Sequence, residues 1–271
     1  EAFDYIRKTL LFSERLQSAR GGLLFLRMGT VVRRMAAYEL LHMAWNDKES
    51  ACAMNDIVRP LDDMKLPPER LRESLASEYR YLSQIYEKAM KEIPKAFPEC
   101  KICFWNNEKV IASNYSYMVS CYQRLMADYY TNLLPEVDRP VSDIVAVGDR
   151  YTIGSPAWIR WKFSVRTLKL DYAEENLSDN AEADAELAGA RLIAALSCYK
   201  EKNGALPEKL DGLVPLYIAA VPTDPFDGRA MRYNPQKEFA YSIGTDLKDN
   251  GGLQEPFSVF EETEPTFPLN E

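Results

Sequence analysis

From about Leu23 to Leu133 the apolar residues recur at steps of three and four rather than two, a spacing that collects them on one face of a helix and scatters them over both faces of a strand. Three stripes carry the pattern. Over residues 23–45 the spacing predicts a helix that buries Leu24, Met28, Val31, Met35, Tyr38, His42 and Trp45 together, separated from a first helix by Gly21 and Gly22. After the turn-like Lys65 to Pro68, with Pro68 suited to a first helical position, Leu71, Leu75, Tyr79, Leu82, Tyr86 and Ile93 form a second stripe, stopped by Pro94 and Pro98. Ile111, Tyr115, Met118, Tyr122, Leu125, Tyr129 and Leu133 form a third, closed by Pro135 and Pro140. Val141 to Ile153 has no helical period and reads as either an extended segment or a loop. Another helix is expected from Ser155-Pro156 towards Leu170, and the acidic stretch Asp171 to Glu186 is the best candidate boundary inside the chain.

A chain of 271 residues, 46% of them hydrophobic, buries at least one substantial core. Its net charge of −8 opposes non-specific attraction to nucleic acid or anionic lipid, so neither is expected as a partner. The best candidate for a membrane helix, Gly21 to Trp45, is interrupted by Arg27, Arg33 and Arg34 and falls short of the roughly 18 to 20 uncharged residues that a span requires. A first residue of Glu1 rather than methionine reads as a processed chain, and any membrane attachment is expected through a segment upstream of it.

The character changes near residue 180. A helix through Leu187, Leu192, Leu196 and Tyr199 is expected to end at Asn203-Gly204, where glycine takes the left-handed conformation that terminates helices. A short helix over Pro207 to Ala219 and the turn-rich Pro222-Thr223-Asp224-Pro225-Phe226-Asp227-Gly228 follow. Two short strands, Met231 to Asn234 and Glu238 to Ile243, then flank Pro235-Gln236-Lys237. The words Tyr199-Lys200-Glu201-Lys202-Asn203-Gly204-Ala205-Leu206-Pro207, Pro222-Thr223-Asp224-Pro225-Phe226 with Arg232-Tyr233, and Tyr241-Ser242-Ile243-Gly244-Thr245-Asp246 with Gly251-Gly252 occur in that order. Together they resemble the C-terminal part of the major pseudopilin of bacterial type II secretion systems. The resemblance covers about Ala190 to Gly252 and implies a small α+β unit there, without the hydrophobic N-terminal helix that a pseudopilin joins directly to it. The fold class expected is therefore mainly α, with a multi-helix domain over residues 1–180 and a pseudopilin-like α+β unit over 181–271.

The same resemblance implies a calcium ion in the last loop. Asp246 falls on the first acidic position of that motif, and Asp249 is the other available carboxylate, with Asn250 and Glu255 near in sequence. Calcium takes six to eight oxygen ligands, which an Asp- and Gly-rich loop supplies from side chains and carbonyls. The alternative is a loop whose aspartates bond their own backbone amides.

Other candidates have plainer readings. Cys100-Lys101-Ile102-Cys103 has the spacing of a redox pair or of half a zinc site, but a second ligand pair is missing, so structural thiols lead over a local disulfide and a metal. The five cysteines do not form a disulfide scaffold for a chain of this length. His42 is the single histidine, which excludes any centre needing two, and it is expected to be partly buried and hydrogen-bonded. The adjacent pairs Asp62-Asp63 and Glu174-Glu175 point about 100° apart on a helix and read as solvated edges rather than a glycosidase pair. Tyr79, Tyr81, Tyr86, Tyr115, Tyr117, Tyr122, Tyr129 and Tyr130 suit packing between helices, with a groove or interface as the alternative. These readings lead to a non-catalytic, extracytoplasmic structural or interaction protein with a protein partner, linked to secretion or cell-envelope assembly. The alternative is a hydrolase with its site in a groove of the helical domain.

Overall fold

The computed structural model describes residues 2–19, 22–46, 51–59, 67–96, 120, 123–144, 170–252 and 265–269. Helices α1 (Ala2–Gln17) and α2 (Gly22–Asn46) form an antiparallel hairpin, followed by α3 (Ala51–Val58) and α4 (Pro68–Ala96). Residues 123–133 are helical, and a 3-10 turn, Leu134–Glu136, continues them. The longest helix, α5 (Leu170–Asn203), is followed by a 3-10 turn at Leu210–Leu213 and by strands β1 (Arg232–Asn234), β2 (Phe239–Tyr241) and β3 (Thr266–Pro268).

α5 is the central column. From Ala183 to Leu196 every residue except Asp184 is buried, and α2, α3, β2 and β3 all pack on it. Alanines at 181, 183, 185, 188, 190, 194 and 195 keep its surface smooth enough for neighbours on several sides at once. It ends as expected at Gly204, whose φ is +77° and whose amide bonds to the Lys200 carbonyl at 2.8 Å. The acidic stretch 171–186, the candidate boundary, is part of this helix, so a division at residue 180 falls inside it. One core joins Ile6 and Leu10 of α1, Leu40 and Leu41 of α2 and Leu192 and Leu196 of α5 to Leu213, Ile218 and Phe267 of the C-terminal unit. A second lies between α2, α4, residues 126–144 and the first half of α5, around Leu26, Leu75, Tyr129 and Leu133.

The apolar stripe of α2 faces outward, opposite to expectation. Leu24 is 60% exposed, Val31 51% and Met35 62%, whereas Leu23, Leu26, Ala36, Ala37, Leu40 and Leu41 are buried. α2 is apolar on both sides, and its rotation is set by Arg27, Arg33 and Arg34, which meet carboxylates on α5. His42, on the outward stripe, is exposed rather than partly buried and lies 6.5 Å, ring to ring, from Tyr38. In α4, Leu71, Leu75 and Leu82 are buried as expected, but the helix runs through Pro94 to Ala96. The proline ring fixes φ near the helical value, so it weakens the last turn without ending it there. Residues 141–144 form a helical turn; the rest of the stretch to Ile153, like the helix expected from Ser155, lies outside the described residues.

The C-terminal unit is an antiparallel sheet in the order β1-β2-β3, with Tyr233 opposite Ala240 and Ala240 opposite Phe267. β1 and β2 lie within the strands expected from the sequence; β3 was not anticipated, and the short helix expected over Pro207 to Ala219 is reduced to the 3-10 turn. β3 locks onto α5 through Phe267, fully buried, whose ring lies against Gly189 so closely that a Cβ there falls 2.5 Å from it. Gly189→Ala forces this ring aside. The expected loss, read as a shift in urea midpoint at unchanged slope, is about 1–3 kcal/mol, and Phe267→Leu in the same background recovers part of it.

Candidate functional site

The C-terminal loop is organised by one arginine. Arg232 on β1 places Nη1 2.6 Å from Asp224 Oδ2 and Nε 3.3 Å from Asp249 Oδ2, while Nη2 bonds Asp227. Asp224, fully buried, also accepts the amides of Phe226 and Ile243, each at 3.0 Å, and the Ser242 hydroxyl at 2.9 Å. Every acceptor direction of this carboxylate is engaged, which makes it the pin between the 222–228 turn and the end of β2. Partial burial works to raise Asp227 and Asp249, but hydrogen bonds from Arg232 and from nearby backbone amides outweigh it and hold both below the usual aspartate range.

Asp246 and Asp249 therefore have distinct positions. Asp246 is exposed and accepts the Lys248 amide at 3.0 Å. Asp249 accepts the Tyr241 hydroxyl and the Gly251 amide, each at 3.1 Å, as well as Arg232. Both bond the amide two residues on, the pattern by which aspartate shapes a turn without a metal. Leu247, Gly251 and Gly252 hold positive φ angles of 58°, 82° and 75°. Among the described residues no three His, Cys, Asp or Glu side chains gather as a metal-binding group. A calcium ion on Asp249 would share that carboxylate with the Arg232 guanidinium, and among the described residues the loop is braced by this arginine. Millimolar calcium is expected to move the melting temperature of the whole chain by less than about 1 °C; a larger, saturable shift that Asp246→Ala abolishes restores the metal reading.

A second concentration of charge runs between α2 and α5. Arg33, 2% exposed, lies 2.7 Å from Asp184; Arg34 reaches Glu182 at 2.9 Å and Glu186 at 2.7 Å; Arg27 meets Glu175 at 3.2 Å. Burial pushes Glu186 up from its ordinary value of 4.5 to about 7, against the pull of Arg34. This proton is held by the folded chain and lost from the unfolded chain between those two values, so the contribution of Glu186 favours folding at low pH and fades as pH rises towards 7. Unfolding free energy is expected to fall by about 1–3 kcal/mol between pH 5 and 8 on account of this residue, and Glu186→Gln, which keeps an acceptor for Arg34, flattens that part of the profile.

A groove of about 480 Å³ opens between α4, residues 137–144, α5 and the 223–228 turn. Four ionisable groups line it, and all are paired: Asp138 with Arg72 at 3.0 Å, Arg139 with Glu136 at 2.9 Å, Asp184 with Arg33 and Asp224 with Arg232. Tyr79, Tyr129 and Tyr130 pack ring against ring at 5.4 to 5.6 Å, the packing role anticipated for them. Glu175 lies on an exposed edge. Cys100, Cys103, Cys121, Asp62, Asp63 and Glu255 lie outside the described residues, as do Tyr115, Tyr117 and Tyr122.

The structure supplies one pairing that the sequence reading missed. Cys52 of α3 and Cys198 of α5 form a disulfide across 146 residues of chain. No spacing motif marks it, because the partners meet only after α3 has folded back onto α5.

Comparison of the chain with protein-family models, curated proteins and solved structures finds no match.

Proposed function

We propose that the chain is a non-catalytic structural or interaction protein of an extracytoplasmic compartment, with a pseudopilin-like C-terminal unit and a role in secretion or cell-envelope assembly. The observation that carries the reading is the Cys52–Cys198 bond, since structural disulfides persist in oxidising compartments and are rare in reducing ones. It ties α3 to the helix on which the C-terminal sheet is built. The order of the C-terminal words from Tyr199 to Gly252 supports the pseudopilin-like part of the proposal.

The alternative, a hydrolase working in the groove beside α5, has less support. Its carboxylates are each ion-paired with an arginine, and among the described residues its lining holds no histidine, cysteine or lysine beside them. Should a saturable calcium shift be seen, Asp246 and Asp249 are the residues that would hold the ion. Nothing in the proposed role depends on the ion.

The test is peptide mapping without reductant of the full chain exported to an oxidising compartment. The expected result is a linked pair of peptides containing Cys52 and Cys198, with Cys198→Ser costing roughly 3–5 kcal/mol of stability because a loop of this length is no longer closed in the unfolded chain. Recovery of both cysteines as alkylated thiols from that compartment overturns the reading.

A further inference from the structure

The outward stripe of α2 has the pattern of a helix-pairing seam. Leu24, Met28, Val31, Met35, Tyr38 and His42 follow one another at steps of four, three, four, three and four, the heptad spacing of paired helices and narrower than the face a helix turns to a globular core. Three further residues widen the seam on one edge: Phe25, 36% exposed, Val32 and Glu39. On the other edge stand Arg27 and Arg34, both turned to carboxylates of α5. Among the described residues α2 thus presents an outward apolar seam about 27 Å long, at 1.5 Å per residue.

We propose that this seam is the contact between two copies of the chain, which pair α2 against α2 about a twofold axis at Val31. The first argument is area. Leu24, Phe25, Met28, Val31, Met35 and Tyr38 are 36 to 62% exposed, on the order of 100 Å² each, so complete burial of these six in two copies removes about 1,200 Å² from water, the lower bound for a specific complex. About 600 Å² per copy stands at the upper end of the largest apolar patch that a typical monomer carries, and such patches are often functional.

The second argument is self-complementarity. In an antiparallel pair centred on Val31, Met28 meets Met35 of the other copy and Leu24 meets Tyr38 of the other copy, so long side chains flank a small β-branched centre and the two helices approach closest there. The third is charge. Arg27 and Arg34 are neutralised within their own chain, so like charges do not meet across the axis. The same neutralisation disfavours an anionic membrane as the occupant, because a helix lying in a lipid surface offers its basic flank to headgroups. The inference stands apart from the proposed compartment and from the C-terminal unit: it holds or fails on α2 alone.

The test is the mass of the full chain in solution by light scattering after size exclusion, at about 100 µM, a concentration that populates even a weak complex. Wild type is expected at twice the 31.0 kDa of one chain. Met35→Glu and Val31→Arg, both at exposed positions, are expected to weaken the dimer more than about tenfold without changing the circular dichroism spectrum, while Leu216→Glu, at a 76% exposed position in the C-terminal unit, leaves it intact. Should a variant lose its fold, Val31→Cys in a chain whose Cys100, Cys103 and Cys121 are changed to serine is expected to link two copies through a short thiol-reactive linker that leaves the same chain with Val31 unlinked. A wild-type chain of single mass overturns the proposal, whether it remains alone or pellets with phosphatidylglycerol vesicles. So does a dimer that both seam variants leave intact.

Discussion

The α2–α5 interface depends on a row of arginines meeting a row of carboxylates. Arg33 and Arg34 are adjacent in sequence and point about 100° apart on a helix, yet both find partners on α5: Arg34 meets Glu182 and Glu186, which stand one turn apart on one side of that helix, and Arg33 meets Asp184 on another side. Removing such groups from water is costly, and placing opposite charges this close offsets part of the cost, although among the described residues the buried guanidinium nitrogens of Arg33 make no hydrogen bond. That pairing sets how α2 may rotate. With its arginines turned to α5, Leu23, Leu26, Leu40 and Leu41 enter the core, while Leu24, Met28, Val31 and Met35 are left on the outside.

α5 then transmits the order to the rest of the molecule. Its acidic first half receives the arginines of α2, and its alanine-rich second half receives α3 through Cys52–Cys198 and the sheet through Phe267 on Gly189. The C-terminal unit has its own brace, in which Arg232 joins Asp224, Asp227 and Asp249. The two arginine-centred networks differ in setting. Arg33 and Arg34 lie between helices and fix an orientation, whereas Arg232 lies at a sheet edge and fixes a loop.

Much of the C-terminal unit was legible from sequence because its signals are local. Gly204 ends a helix through the conformation of its own backbone, and β1 and β2 pair across a short connection, so both follow from neighbouring residues. β3 was not legible, since Thr266–Pro268 is too short to carry an alternation and gains its place from Gly189, far away in the chain. The loop aspartates were visible as a cluster, but their roles were not. Asp224 was quoted only as part of a turn, although it is the most heavily hydrogen-bonded carboxylate of the loop, and the arginine beside Tyr233 was the one available signal that this loop has a cation of its own.

The sequence by itself determined that the chain is mainly helical with a short sheet near its end, because periodicity, prolines and glycines act over a few residues. It determined also that α2 carries two apolar faces and a set of arginines. Only the tertiary structure decided which face is buried, that the acidic stretch 171–186 runs on as one helix into the alanine-rich part of α5, and that Cys52 finds Cys198. Each of these depends on what a residue meets across the fold, where matching a buried charge outweighs the burial of one apolar stripe in place of another.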